Sequence, residues 1–409
     1  MTADPASGRV PPLAALGNRD FRLLYLGLLI STMGSQISRV TNGWLVYELT
    51  GSAAALGLAG LFAALPLIPM SLLGGALADA VERRRLMLAM QGMSLLTMAA
   101  LAVLTATGQV QVWHIYASGF LLTIAGVLDR PARQAMIPGL VPRAHLLNAY
   151  TLMTTLMQAG SLVGPVIAGV VLALAGPAVA YAVDALSFLA VVIALLLMHV
   201  PPITGGGRKV SLGSIVDGLR FVGSKQIILG LFGLDIVAML FGYYPTLLPV
   251  FAKDILQVGE VGLGWLTAAP AAGSLTGAGL MLLVGRVRRP GWVMLAAVAG
   301  YGLALVGLGL SHWFPLSLLC GALLGLTDAV SMAIRHATIQ IETPDEFRGR
   351  VSSAMQISVQ GGNSLGALGA GFAGAALGAD RAAAVGGVLV VLATAYFGWA
   401  VKPMRQYRA

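Results

Sequence analysis

Long apolar runs alternate with short polar breaks along the whole chain. A bilayer core of about 30 Å is crossed by about 20 apolar residues in a helix that rises about 1.5 Å per residue. Twelve runs meet that length: 22–47, 54–78, 86–107, 113–137, 146–174, 178–199, 226–252, 261–284, 292–310, 315–337, 351–376 and 383–401. Gly-Pro pairs or a few charged residues separate them. The longest break, 201–225, is Gly-rich and basic at first, and then SLGSIVDGLRFV places apolar residues at helical spacing. That break predicts a flexible hinge followed by a short amphipathic helix on the inner membrane surface. The pattern divides the chain into an N-terminal tail (1–20), a six-helix bundle (21–200), a cytoplasmic linker (201–225), a second six-helix bundle (226–401) and a short tail (402–409).

The two bundles repeat one another directly. An offset of 202 residues carries Arg133 onto Arg335, Pro142 onto Pro344, Gln158 onto Gln360, Gly160 onto Gly362, Gly164 onto Gly366 and Gly169 onto Gly371. A direct repeat in a membrane chain implies similar bundles about an axis along the membrane normal, the arrangement with which many secondary transporters enclose a central cavity. The expected fold is therefore all-α, with twelve transmembrane helices in two six-helix bundles.

Composition agrees with lipid burial. Apolar residues make up 57% of the chain and charged residues 10%, against about 25% charged in soluble domains. Mean hydropathy is +0.86. The net charge of +9 lies in loops rather than in a basic stripe, which argues against nucleic acid. Of the 25 Lys and Arg residues, 22 fall on the side of the termini, Lys253 and Arg381 fall opposite, and Arg39 sits inside the first run. By the positive-inside rule both termini are cytoplasmic and the protein spans the cytoplasmic (inner) membrane. The first 20 residues hold no apolar core of the kind a cleavable signal needs. Cys320 stands alone and is expected to pack as a small hydrophobe. There is no G-x-x-x-x-G-K-[ST] loop for a nucleotide, no metal motif and no cofactor signature.

The break between the second and third runs reads GGALADAVERRRLM (74–87). It resembles motif A of the major facilitator superfamily, with Gly75, Leu77 and Asp79 in place and Arg83, Arg84 and Arg85 following; Ala80 and Glu82 depart from the usual residues. The resemblance implies a latch in which the Asp79 carboxylate accepts bonds from a helix N-terminus and an arginine. The repeat places Gly277 and Arg286 at the matching site, with Met281 instead of a second aspartate. Arg133, Arg335 and Arg350 complete the expected cytoplasmic latch and gate. DRPARQAMIPGLVPRAHLLNA (129–149), YAVDALSF (181–188), LLPVFAKDIL (247–256) and PDEFRGRVSS (344–353) resemble the branch of this superfamily that holds bacterial enterobactin exporters and macrolide-efflux proteins. GSLVGPVIAG in the fifth run resembles motif C of proton-coupled exporters, with Gly160, Gly164, Pro165 and Gly169 matching. That resemblance implies a seal or hinge; ordinary small-residue packing is the alternative.

Charges inside apolar runs are costly and therefore informative. Asp235 falls near the bilayer middle in the seventh run, and Arg39 lies deep in the first. A direct bond between them faces an axial offset of about 9 Å, although both belong to runs that line the cavity in the resembling superfamily. Asp235 is the first candidate for proton coupling, followed by Asp328 and Asp129; the alternative is a carboxylate held by hydroxyls or by Arg39 without titrating. Asp129 and Asp328 are expected to pair with Arg130, Arg133 or Arg335 at an inner gate. Asp184 is expected to make a structural bond. Arg39, Gln36, Asn42, Tyr243 and Tyr244 are candidate substrate contacts. All five histidines, at 114, 145, 199, 312 and 336, fall at run ends or in loops, so neither a histidine relay nor an intramembrane enzyme is expected.

The expected activity is secondary active efflux of amphipathic small molecules (a drug, a macrolide-like compound or a siderophore), coupled to protons by alternating access. The partners are such a substrate, protons and the bilayer, without nucleotide, nucleic acid, cofactor or metal, and no oligomer is required. Two readings remain beside it: import of a nutrient or siderophore on the same fold, and a sensor or scaffold that transports nothing.

Overall fold

The computed structural model describes residues 11–67, 69–71, 81–199, 220–285 and 287–406. Among these the chain is helical, with no strand. The main helices are Arg19–Thr50, Ala53–Ala64, Arg83–Ala106, Val112–Leu140, Leu146–Leu197, Gln226–Gly242, Gly259–Val284, Pro290–Leu310, Phe314–Glu342, Asp345–Leu377 and Ala379–Ala400. Nine stretches of the described residues are long and apolar enough to cross a bilayer. Leu174, Leu282 and Leu283 present 83%, 84% and 85% of their surface; such side chains suit lipid, not water.

Two local departures from helical geometry matter. The stretch 146–197 is continuous except at Gly176, whose φ of 76° and ψ of 175° break it in two. Only glycine adopts that conformation at little cost, and the break falls inside the predicted gap between 174 and 178. The predicted run 226–252 is not one helix. Its helix ends at Gly242, Tyr243 is extended, and a short 3-10 turn starts at Pro245. Pro245 lacks the amide proton a continuous helix needs to bond back into the turn that ends at Gly242, and it sits instead at the start of the new turn, where no such proton is required. The chain then closes in a π-helical turn, Phe251–Ile255.

Contacts sort the described residues into two units, one taking those up to Asn42 and those between Leu65 and Lys209, the other Gly43–Ala64 and those from Val210 onward. The first unit's core joins Phe21, Leu24, Met87, Met136, Leu156 and Leu195. In the second, Ile228, Leu234, Met294, Ile334, Val351 and Val390 form the core. There, helices 259–284 and 314–342 touch through reciprocal glycines. A Cβ on Gly273 would stand 1.7 Å from the Ala322 carbonyl oxygen, and one on Gly325 would stand 1.8 Å from that of Pro270. The predicted amphipathic helix in the linker lies largely outside the described residues; Arg220–Ser224 is helical.

Candidate functional site

The second unit contains a buried ion pair. Helix 226–242 carries Asp235 and helix 314–342 carries Arg335; a guanidinium Nη1 of Arg335 donates to Oδ1 of Asp235, with the two side chains 6% and 11% exposed for Arg335 and Asp235 respectively. Asp328 sits two turns before Arg335 on the same helix, and the charges acting on Asp235 are those of Arg335 and Asp328. Asp328 is exposed. Nε of Arg335 is buried and makes no hydrogen bond among the described residues. Tyr301 donates from its hydroxyl to the Gly242 carbonyl at 2.9 Å, and Tyr244, two residues beyond Gly242, is buried.

Asp235 pairs with Arg335, an arginine that the sequence also offered as a gate partner of Asp129 or Asp328. Arg39 is exposed on helix 19–50 and makes no ion pair among the described residues. Arg335 reaches Asp235 from a neighbouring helix of the same unit.

In the first unit, Asp129 is buried, accepts a hydrogen bond from Gln91 Nε2 at 3.0 Å and lies 4.0 Å from Nε of Arg133. The two arginines that the repeat aligns thus meet carboxylates from different places, one on its own helix and one across helices. Asp184 is wholly buried, and its Oδ1 accepts from the Ser187 hydroxyl at 3.0 Å. Asn42 accepts from the Tyr181 hydroxyl at 2.8 Å.

The glycines of the motif C-like segment form a groove for helix 19–50. A Cβ on Gly160 would stand 2.5 Å from the Thr32 methyl, and one on Gly164 would stand 2.6 Å from the Gln36 Cβ. Pro165 and Gly169 are buried on the same helix. In the second unit Gly362 meets Met239, and Gly366 meets Met239 and the Cβ of Tyr243. Gln36 and Tyr243 therefore share a packing role at these glycines.

Gly75, Leu77 and Asp79 lie outside the described residues, as does Arg286. The arginines that follow the motif serve helix ends and backbone: Arg83 donates to the Ala135 carbonyl at 2.8 Å, and Arg84 to those of Leu195 and Leu196 at 2.7 and 3.1 Å. Cations at helix C-termini satisfy orphan carbonyls and oppose the helix dipole. Arg350 lies over the Phe347 ring, 5.3 Å from its centroid. Among the described residues no group of three or more His, Cys, Asp or Glu side chains gathers to hold a metal. Sequence reasoning missed Gln91, a polar residue within the third apolar run, and the Tyr47–Asp254 contact, for which a tyrosine near a run end gave no distinguishing signal.

Residues 10–406 match the family described as transmembrane secretion effector. The chain belongs to that family, a branch of the major facilitator superfamily. The enterobactin exporter EntS of Shigella boydii serotype 4 (strain Sb227) is 28% identical over 353 residues, which are 85% of this chain and 82% of that protein. The EntS of Escherichia coli O81 (strain ED1a) gives the same figures, 28% identity with 85% and 82% covered. Solved structures share the fold. A bacterial homologue of the human lysosomal transporter Spinster, inward-facing and unoccupied, superposes with a TM-score of 0.72 at 15% identity over 95% of this chain and 98% of that one. The nucleoside transporter NupG gives 0.71 at 14% identity, over 94% and 100%. The family and these relatives are transporters, not enzymes, and this chain is a membrane transporter of major facilitator type.

Proposed function

We propose that the protein exports an amphipathic small molecule of the siderophore or drug class, driven by inward proton flow through alternating access. Twelve spans in two repeated bundles, 21–200 and 226–401, and cytoplasmic termini belong to the same reading, as does a cytoplasmic-membrane location. The observation that carries it is the Asp235–Arg335–Asp328 cluster in the second unit. Asp235 is bonded to Arg335, and Asp328 lies two turns earlier on the same helix, near enough that its charge acts on Asp235. With both carboxylates ionised the cluster holds one uncompensated negative charge, which a proton would neutralise. A cluster one proton short of neutrality is what antiport requires, because proton binding and release then shift the pairing of Arg335. The EntS relatives, named for enterobactin export, support outward transport of a siderophore-like cargo.

The test is efflux from proteoliposomes under an imposed pH gradient, set beside substrate counterflow without one. Asp235→Asn keeps the shape and fixes the neutral form, so gradient-driven efflux is expected to fall to background while counterflow persists. Unchanged gradient-driven efflux would remove Asp235 from coupling and transfer the role to Asp328, then Asp129. Uptake against the gradient by the unmodified protein would establish an importer.

A further inference from the structure

The last described helix, Lys402–Gln406, is pinned against the second unit. Met404 is 1% exposed. A Cβ on Gly291 would stand 1.6 Å from the Met404 carbonyl oxygen, and one on Gly230 would stand 2.8 Å from its sulfur. Ile227, Gly291 and Met404 border one small void. The starts of helices 226–242 and 290–310 and this tail helix therefore converge on Met404.

That convergence gathers cations. Lys225 and Arg289 are the N-cap residues of the two helices, Arg288 precedes Arg289, and Lys402 and Arg405 flank Met404. Lys225, Arg288, Arg289 and Lys402 are exposed, and Arg405 is partly so. None of them forms an ion pair among the described residues. Within the fold their charge is unfavourable: a cation at a helix N-terminus opposes the macrodipole, and neither N-cap side chain bonds the helix it leads. The charge faces outward.

The neighbouring surface is apolar and aromatic. Leu282 and Leu283, almost wholly exposed, end helix 259–284 a few residues before the arginines. Trp292 and Trp399 are 51% and 72% exposed. They lie at one level, because a Cβ on Gly398 would stand 3.3 Å from a methyl of Leu295, one turn from Trp292. Exposed tryptophan suits the boundary between acyl chains and headgroups, where its ring is apolar and its N–H is wet. From Leu282 to Arg289 the surface thus passes from side chains that suit lipid tails to side chains that suit phosphate. A soluble acidic protein would match the cations but not the leucines and tryptophans beside them.

We propose that this end of the second unit binds an anionic phospholipid, its phosphate among the Lys225, Arg288, Arg289, Lys402 and Arg405 cations and its acyl chains along the leucines and tryptophans. Each cation near the headgroup strengthens such binding. The test is quenching of tryptophan fluorescence by lipids brominated on the acyl chains, with the protein in phosphatidylcholine nanodiscs; bromine quenches only the tryptophans that the lipid touches. Brominated phosphatidylglycerol is expected to quench at about a tenth of the lipid fraction that brominated phosphatidylcholine requires. Trp292→Phe/Trp399→Phe is expected to lose that preferential component, and Arg289→Gln/Arg405→Gln to reduce the preference to about twofold. Arg22→Gln/Arg143→Gln, which removes exposed cations from the first unit, is expected to leave it intact. Soluble glycerol phosphate is expected not to compete; suppression by it would make the ligand a free phosphate and overturn the lipid. Equal quenching by the two lipids in the unmodified protein would leave the cations a purely topogenic role and overturn the site. A preference undiminished in Arg289→Gln/Arg405→Gln would overturn it as well.

Discussion

Gly34 has no side chain because Asp184 and Ser187 occupy the space. A Cβ there would stand 2.2 Å from the Ser187 Oγ and 2.7 Å from Oδ1 of Asp184. Asp184 has no ion-pair partner among the described residues; the Ser38 and Ser187 hydroxyls bond it, and Oδ2 has no hydrogen bond among them. Its role reads as a polar clamp between helices 19–50 and 146–197. Gly34→Ala is therefore expected to lower stability in detergent by about 1–3 kcal/mol, because both neighbours are themselves fixed. Asp184→Asn keeps the shape and strands no cation, so its cost is expected to stay under about 1 kcal/mol. Melting followed by fluorescence in detergent measures both; a Gly34→Ala protein melting with the parent would remove the clamp. The sequence marked Asp184 as an intramembrane carboxylate with a structural bond, but nothing in a linear pattern identifies Gly34, 150 positions earlier, as the residue that faces it.

At the level of helices, glycine positions were legible and what they receive was not. The repeat singled out Gly160, Gly164, Gly362 and Gly366. Only the packing shows that the first pair accepts Thr32 and Gln36 while the second accepts Met239 and Tyr243. The obstacle differs between them, and a prediction follows from the difference. At Gly160 a new methyl meets the end of the Thr32 side chain at 2.5 Å, whereas at Gly366 it meets the Met239 carbonyl oxygen at 2.2 Å. A threonine methyl moves by rotating one bond; a backbone oxygen moves only with its helix. Gly366→Ala is expected to destabilise by about 2 kcal/mol more than Gly160→Ala in the same melting assay. Equal losses would mean that helix 226–242 yields as easily as a side chain. The same reasoning explains why the run 226–252 is legible as one span while the break inside it is not. Hydropathy counts apolar residues and is blind to amide protons, and Pro245 and Pro249 are apolar residues without one.

For the whole molecule, charge asymmetry is the strongest constraint on orientation, and it depends on every run crossing. Lys and Arg at a bilayer centre cost about 2.5–3.5 kcal/mol each on insertion scales, so basic loops stay where they are synthesised. The run 54–78 is the one on which the count turns, since part of it lies outside the described residues. If it did not cross, Arg83, Arg84 and Arg85 would lie on the outer side and the alternation downstream would invert, carrying Lys253 and Arg381 to the inner side. A single cysteine decides the matter in a Cys320→Ser background. Glu82→Cys and Glu346→Cys are expected to resist a membrane-impermeant thiol reagent in intact cells and to react once the membrane is permeabilised. Glu260→Cys and Asp380→Cys are expected to react from outside. Reaction at 82 and 346 from outside, with 260 and 380 protected, would overturn this topology: either the second run fails to cross or the N-terminus lies outside.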